Sequence, residues 1–141
     1  SASQTTLGLN YIGLNVDLQG NAFNYPGSGD SKMTYTLPTT ASICSVSILD
    51  AKGNTVFTQD GQTTVGAHDF TWNGKDQMGK AVPAGTYQIQ VSALDKSQKN
   101  ITTTTTVPGY VQGIQTASDG SIMLIINNLL VPMSSITKAT L

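Results

Sequence analysis

The most informative part of this 141-residue sequence is residues 66–87, which read GAHDFTWNGKDQMGKAVPAGTY. Phe70 and Trp72 stand two positions apart, so a strand would carry both rings on the same face. The dipeptide Asn73-Gly74 follows, and it is typical of a tight turn because both residues tolerate a left-handed backbone. This first half therefore predicts a core strand that ends in a reversal of the chain.

The second half of the segment predicts another reversal and another strand. Gly79 allows the chain to turn again, and Pro83 suits a strand edge, where a missing N–H group is tolerated. Gly85 then leads into a strand whose first large residue is Tyr87. We expect eight residues to form one structural motif with its aromatic rings in the core: Phe70, Trp72, Asn73, Gly74, Gly79, Pro83, Gly85 and Tyr87.

Strands with alternating apolar and polar residues surround this motif. The alternation is clear in residues 32–37 and 42–49, and it is clearest in residues 86–95. A turn then leads into residues 101–107, whose consecutive threonines indicate a β-branched, solvent-facing partner for the 86–95 strand. Short strands joined by Gly, Asn and Asp turns predict an all-β fold, with a β-sandwich over residues 21–107.

The rest of the chain predicts a second, smaller β unit. The N-terminal residues 7–18 are β-like, and four short strands are expected after Pro108-Gly109, at residues 110–116, 121–127, 129–131 and 134–141. We expect residues 1–20 and 108–141 to pair into a small barrel that leans on the sandwich, because so few residues bury little surface alone. Both faces of residues 122–126 are apolar, which indicates a strand that is covered twice or that presents one face to a partner.

The charge balance excludes some classes of partner. Charged residues make up 11% of the chain and the net charge is -1. Every cation is Lys and every anion is Asp, so the chain lacks the bidentate guanidinium groups that grip phosphates and base edges. This composition argues against nucleic-acid binding. No apolar run approaches the roughly 20 residues of a spanning helix, so we expect no membrane insertion.

Candidate catalytic and metal-binding residues are few. The only histidine is His68, which we interpret as an exposed turn residue, and the only cysteine is Cys44, which we place in the core. Most aspartates stand beside Gly, Ser or Lys in predicted turns, where a carboxylate accepts hydrogen bonds from its own backbone. We therefore expect no catalytic residue, no bound metal and no cofactor, and we interpret the protein as a non-enzyme.

Two other interpretations remain open at this point. A secreted adhesion or carbohydrate-binding module would use Trp72 and Tyr25 as platforms, since aromatic faces stack on sugar rings. The position of Trp72 within an alternating strand favours core packing instead. A small hydrolase would need two paired aspartates.

The motif at residues 66–87 resembles the Ig-like, or fibronectin type III, module of the flagellar hook-capping family, also called the basal-body rod modification or hook assembly scaffolding family. Residues 11–16 and 109–114, followed by Asp119-Gly120 and residues 122–126, resemble the segments that flank this module in the family. Family members commonly have Asp-Gly after the tryptophan. This chain has Asn73-Gly74, and both dipeptides suit a turn.

The resemblance implies a fold and a role. The fold is a fibronectin type III/Ig-like β-sandwich, residues 21–107, inserted into a discontinuous Tudor-like β-barrel, residues 1–20 plus 108–141. The role is that of a non-enzymatic scaffold, exported through the flagellar type III system, which forms an oligomeric cap on the growing hook while hook subunits polymerise beneath it. The expected partners are the hook subunit and further copies of the chain. The family's N-terminal region has no counterpart here, which predicts a fragment.

Met123 and Ile125 are the candidate protein contacts. They lie on the apolar strand at residues 122–126, and we expect their side to be exposed. A cap must hold its partners and also move forward, so small and replaceable contacts suit it better than a large apolar interface.

Overall fold

A computed structural model of the protein describes residues 2–141, with side chains from residue 5 onward. The described residues form one helix, eleven strands and a 3₁₀ turn, with these bounds: α1 Ala2–Tyr11, β1 Asn15–Gln19, β2 Ala22–Tyr25, β3 Ser31–Leu37, β4 Ile43–Leu49, β5 Thr55–Asp60, β6 Gly66–Trp72, β7 Gly85–Leu94, β8 Thr104–Thr116, β9 Ile122–Ile126, β10 Leu129–Pro132, the 3₁₀ turn Met133–Ser135 and β11 Ile136–Thr140. The prediction of an all-β fold is confirmed, apart from the single helix.

The chain divides into two compact units. Residues 20–107 form the first, which we call the sandwich unit, and residues up to 19 together with 108–141 form the second, which we call the terminal unit. Strand β8 begins in the sandwich unit and ends in the terminal unit.

Two antiparallel sheets make up the sandwich unit. One has the strand order β2-β7-β4-β5, and the other joins β6, β3 and the first residues of β8. The alternation predicted for β4 is confirmed, since Cys44, Val46 and Ile48 are buried. Rings of the first sheet contact Trp72 of the second, so aromatic side chains fill part of the space between the sheets.

The threonine run pairs differently from the prediction. Strand β8 starts only at Thr104, and Thr104–Thr106 lie opposite β3 rather than β7. The hydroxyls of Thr34 and Thr106 are hydrogen-bonded to each other, and Thr105 and Thr106 are half-buried rather than fully exposed to solvent. The predicted hairpin is wrong because the chain leaves β7 after the single bridge between Leu94 and Asn100 and crosses to the other sheet.

The terminal unit contains a five-stranded antiparallel sheet in the order β10-β9-β8-β1-β11. Its core side chains are Val16, Leu18, Val111, Ile122, Leu124 and Ile126. The sequence predicts separate strands at residues 101–107 and 110–116, on either side of Pro108-Gly109, yet β8 runs through this dipeptide without a break. A glycine is required at position 109 because there is no space for a side chain: a Cβ would lie 2.5 Å from Ile126 Cγ2.

The N-terminal segment is helical, which corrects the β-like prediction for residues 7–18. Within this segment, residues 7–11 belong to α1, and the extended conformation begins only at Asn15, in β1. The sequence of α1 has weak intrinsic helix propensity, but Gly8 packs closely on the sheet, its potential Cβ position lying 3.0 Å from Ile122 Cγ2 and 3.2 Å from Ile114 Cγ2. The helix is therefore supported by a tertiary contact that local propensity does not reveal.

Candidate functional site

The aromatic residues of the predicted motif lie together in the core of the sandwich unit. Phe70, Trp72 and Tyr87 are all buried. The Trp72 ring centroid lies 5.0 Å from that of Tyr87 and 5.1 Å from that of Tyr25. These tilted ring contacts connect β6 of one sheet with β2 and β7 of the other, so the aromatic part of the motif is a structural element that joins the sheets.

The Asn73-Gly74 dipeptide forms the predicted turn directly after Trp72. The Asn73 Oδ1 atom accepts a hydrogen bond from the Lys75 N–H at 3.1 Å, and the Trp72 Nε1–H donates to the Lys75 carbonyl at 2.9 Å. Gly74 has a φ of +75°. A Cβ on Gly74 would lie 2.0 Å from the Tyr25 hydroxyl oxygen, so the turn packs tightly over Tyr25.

Gly79 belongs to a second turn, formed by residues 76–80. The Gly79 N–H donates to the Asp76 carbonyl at 3.0 Å, and the Asp76 N–H donates to the Lys80 carbonyl at 2.8 Å. The Asp76 Oδ1 atom accepts two further hydrogen bonds, from the N–H groups of Met78 and Lys80, both at 2.9 Å. The interpretation of this aspartate as a turn residue is confirmed.

Pro83 and Gly85 bring the chain into β7. The Tyr87 hydroxyl donates to the Pro83 carbonyl at 2.7 Å, a local tie similar to the tyrosine corner of Ig-like sandwiches. Burial raises the pKa of Tyr87, and the nearby Asp50 and Tyr25 raise it further. Gly85 is the first residue of β7 and lies opposite Tyr25 of β2. All eight predicted residues therefore lie within one continuous segment that builds the sandwich unit.

The two aromatic platforms proposed for sugar binding are inaccessible. Trp72 is 1% exposed and Tyr25 is 4% exposed, so neither ring presents a face to solvent. That interpretation is wrong for these two residues, because both rings belong to the inter-sheet core.

Two depressions on the sandwich unit lack the features of a hydrolase site. One, of about 290 Å³, is lined by residues of the 50–54 turn and by residues 84–87; the other, of about 380 Å³, is lined by residues 40–42 and 95–97. Each contains one carboxylate, from Asp50 and Asp95 respectively, whereas glycoside hydrolysis needs two. Between residues 2 and 141, no three His, Cys, Asp or Glu side chains gather as metal ligands.

His68 and Cys44 both have structural environments. His68 lies within β6 and is half-buried, so its assignment to an exposed turn is wrong. Its ring lies 5.3 Å from the Tyr35 ring, and its Nε2 atom is 2.7 Å from the Thr64 carbonyl oxygen. Cys44 is buried as predicted, and burial raises the pKa of its thiol. A raised pKa disfavours the thiolate that a nucleophilic role would need.

Strand β9 carries the predicted contact residues of the terminal unit. Ile122, Leu124 and Ile126 are buried on one face, whereas Met123 and Ile125 are half-buried on the other. The expectation of an exposed side is therefore only partly met. Ile125 lies opposite Leu130 of β10, which is 46% exposed. We call Met123, Ile125 and Leu130 the β9 outer face.

The structural roles of some residues were missed in the sequence. Phe23 and Tyr25 alternate in β2 and could have been found by the same period-two pattern that identified the other strands. Gln77 hydrogen-bonds to the edge of β5, and nothing in its sequence neighbourhood predicts that contact. The described residues include no helix that is long and apolar enough to cross a membrane.

Comparison with known proteins gives consistent matches. The family model described as the FlgD Ig-like domain matches residues 20–97. The basal-body rod modification protein FlgD of Escherichia coli K12 is 33% identical over 99 residues, which cover 64% of this chain and 43% of that protein. The corresponding protein of Salmonella typhimurium is 32% identical over 77 residues, which cover 54% of this chain and 33% of that protein. The chain thus matches less than half the length of these curated relatives.

Solved structures match over nearly the whole chain. The structure of FlgD from Pseudomonas aeruginosa aligns with a TM-score of 0.83 at 25% identity, covering 92% of this chain and 98% of that one. FlgD from Xanthomonas campestris, whose structure is described in terms of hook capping essential for flagellar assembly, aligns with a TM-score of 0.75 at 24% identity, covering 97% and 99%. The family match spans more than half of the sequence and lies within the sandwich unit, residues 20–107. This chain therefore belongs to the FlgD Ig-like domain family.

Proposed function

We propose that this protein is a scaffold that caps the growing bacterial flagellar hook and assists the polymerisation of hook subunits. The observation that carries the proposal is the family match over residues 20–97, together with a fold that corresponds to FlgD of Pseudomonas aeruginosa over 92% of the chain. A non-enzymatic role agrees with the family and with the structural environments of His68, Cys44 and the turn aspartates.

The proposed location follows from the proposed role. The protein acts at the distal end of the growing hook, outside the cell, after export through the flagellar type III system. Its partners are the hook subunit and other copies of itself in an oligomeric cap. A surface with few charges suits such contacts, since they must be released as the cap advances.

We also propose that the terminal unit is a Tudor-like barrel interrupted by the inserted sandwich unit. Five antiparallel strands in the order β10-β9-β8-β1-β11, with a 3₁₀ turn between β10 and β11, support this assignment. The strands of such a unit come from both ends of the sequence. This explains why the family resemblance outside the sandwich unit occurs in two separate segments, one near each end of the chain.

The β9 outer face is the proposed contact with the hook or with a neighbouring cap subunit. Met123 and Ile125 are half-buried, and the adjacent Leu130 leaves 46% of its surface exposed. Apolar side chains at this level of exposure gain more by burial against a partner than polar side chains would.

Complementation of motility tests both the role and the contact. In a strain that lacks the parent gene, we expect electron microscopy to show basal bodies without hooks and hook subunit released into the medium. The wild-type gene restores hooks. The double substitution Met123→Ser and Ile125→Ser should restore several-fold fewer hooks, because it removes apolar surface from the proposed contact while leaving Ile122, Leu124 and Ile126 in place.

The matched control removes apolar surface elsewhere. Met78 is 91% exposed and Val65 is 59% exposed, and neither belongs to β9. The substitutions Met78→Ser and Val65→Ser therefore remove exposed apolar side chains outside the proposed contact, and both variants should restore hooks fully. All variants must accumulate to the wild-type level. Normal hooks in the deletion strain would reject the capping role, whereas normal hooks with the β9 variant alone would reject only the contact.

A further inference from the structure

The edge strands of the two sheets in the sandwich unit differ in how they are protected from pairing with another chain. An edge strand presents unpaired N–H and C=O groups to which another chain can pair, unless the fold covers or shortens that edge. The sheet β2-β7-β4-β5 ends in β2 and β5, and β6 ends the other sheet. Strand β2 has only four residues and is followed by Pro26, which limits its pairing.

Strand β6 carries a charge at its centre. Its exposed side chains are Ala67, Asp69 and Thr71. Antiparallel pairing of two β6 strands centred on Asp69 would place two carboxylates opposite each other, which is destabilising. Strand β5 has no such charge at its centre, since its only charged residue is Asp60 at the end.

Strand β5 is instead covered by Gln77. The Gln77 N–H donates to the Val56 carbonyl at 2.9 Å, and the Gln77 Oε1 atom accepts from the Thr58 N–H at 2.8 Å. Val56 is the extra residue of a β-bulge, since Ile48 lies opposite Phe57 and Leu49 lies opposite Thr55. One residue thus bonds to two backbone groups of β5 that a neighbouring strand would use.

We propose that the Gln77 contact is an autoinhibitory strap, which prevents β5 from pairing with β5 of a second copy of this chain. Centred on Thr58, such antiparallel pairing would set Phe57 opposite Gln59 and Val56 opposite Asp60, with no like charges facing each other. The second copy is therefore the occupant that this edge accepts once Gln77 is displaced, whereas Asp69 opposes the same pairing at β6.

The position of Gln77 in its turn allows a precise substitution. In the 76–80 turn, the Asp76 carbonyl accepts from the Gly79 N–H, so Gln77 is the second residue of a β-turn. Neither Gln77 nor Met78 has a positive φ, which agrees with a type I turn. Proline is favoured at the second position of such a turn. The change Gln77→Pro therefore removes the N–H donor and the Oε1 acceptor together and keeps the turn.

Light scattering after gel filtration tests the proposal on the chain itself. We expect the average mass of the Gln77→Pro variant to approach twice the wild-type mass as the concentration rises. In dilute solution, the Thr58 amide of this variant should exchange with deuterium faster than in the wild type, because its acceptor is gone. The matched control is Lys96→Pro, at the same position of the 95–99 turn, whose hydrogen bonds are equivalent but which lies away from β5. It should behave as the wild type does.

A second-site substitution identifies the edge involved. Because the Thr58 N–H points to Gln77 and away from β4, Thr58→Pro removes the outward donor without breaking the β4–β5 ladder. The double variant Gln77→Pro, Thr58→Pro should return to the wild-type mass. If Gln77→Pro fails to fold, the same experiment uses Gln77→Ala. This substitution removes only the acceptor of the Thr58 N–H and keeps the N–H that donates to Val56. A folded Gln77 variant with the wild-type mass at every concentration would overturn the proposal.

Discussion

At the residue scale, Gly74 is the glycine of the sandwich unit with the least space for a side chain. It combines a left-handed backbone, with φ of +75°, and the close approach of the Tyr25 hydroxyl. The first property favours glycine in any turn, while the second depends on where the turn packs. The two effects can be separated because Gly53 has a similar φ of +86° but no atom within 4 Å of its potential Cβ.

We predict that Gly74→Ala lowers the free energy of unfolding by about 2–4 kcal/mol, since backbone strain and overpacking add. Gly53→Ala should cost only about 1 kcal/mol, from backbone strain alone. Urea unfolding followed by the fluorescence of Trp72 measures both values. Equal losses for the two variants would show that the Tyr25 contact relaxes without cost.

Buried Cys44 and Tyr87 give the protein a sensitivity to alkaline pH. Burial raises the pKa of both groups, so the folded state favours their protonated forms. The stability that this provides is complete below the ordinary thiol pKa of 9.0 and is lost as the pH rises through the higher pKa of the folded protein.

We predict that the urea midpoint of the wild type falls as the pH is raised from about 8 to about 10. The Cys44→Ala variant should have a lower urea midpoint at about pH 8, because side-chain volume is lost from the core. Its midpoint should fall less steeply between about pH 8 and about pH 10, because the thiol that titrates in the wild type is absent. Parallel pH profiles for the two proteins would contradict a contribution from Cys44.

At the element scale, the same five-residue turn is used repeatedly. In residues 50–54, 76–80 and 95–99 the first residue is Asp, whose carboxylate accepts hydrogen bonds from the third and fifth N–H groups. The fourth residue has a positive φ in each turn. It is glycine in the first two turns and Gln98, with φ of +64°, in the third.

We predict that Gln98→Gly raises the free energy of unfolding by up to about 1 kcal/mol, because glycine adopts the left-handed conformation without the strain that a side chain imposes. The control Gln98→Ala also loses the long side chain but keeps a Cβ, so it should not gain stability. Thermal unfolding of both variants measures the difference. A gain for alanine as large as that for glycine would point to the glutamine side chain instead of the backbone.

At the scale of the whole molecule, the order of the chain differs from the order of the compact units. The sandwich unit is continuous over residues 20–107 and has its own aromatic core, whereas the terminal unit needs both ends of the chain. A continuous segment of this size with a core of its own is expected to fold independently.

We predict that the isolated segment 20–107 folds and unfolds cooperatively. The only tryptophan of the chain is Trp72, which lies in this core, so its fluorescence reports on the sandwich unit alone. The segment should show one sigmoidal urea transition and a buried-tryptophan emission spectrum. The substitution Trp72→Ala in the same segment, which should cost about 3–5 kcal/mol, provides a destabilised control for circular dichroism. A gradual, non-cooperative change would contradict independence.

Local sequence patterns determined much of the sandwich unit. The alternation of Cys44, Val46 and Ile48 predicted their burial correctly, and Asn73-Gly74 and the turn aspartates predicted reversals that the structure contains. These features depend on the two-residue period of a strand and on backbone preferences, which neighbouring residues reveal by themselves.

Tertiary structure alone decided the remaining features. The helix α1 depends on Gly8 meeting Ile114 and Ile122, and the uninterrupted β8 depends on Gly109 fitting against Ile126. The partner of the threonine run was decided by a crossing between sheets, and the Gln77 contact by the approach of a turn to β5. In each case the stabilising group is far away in the sequence, so local propensity contains no signal of it.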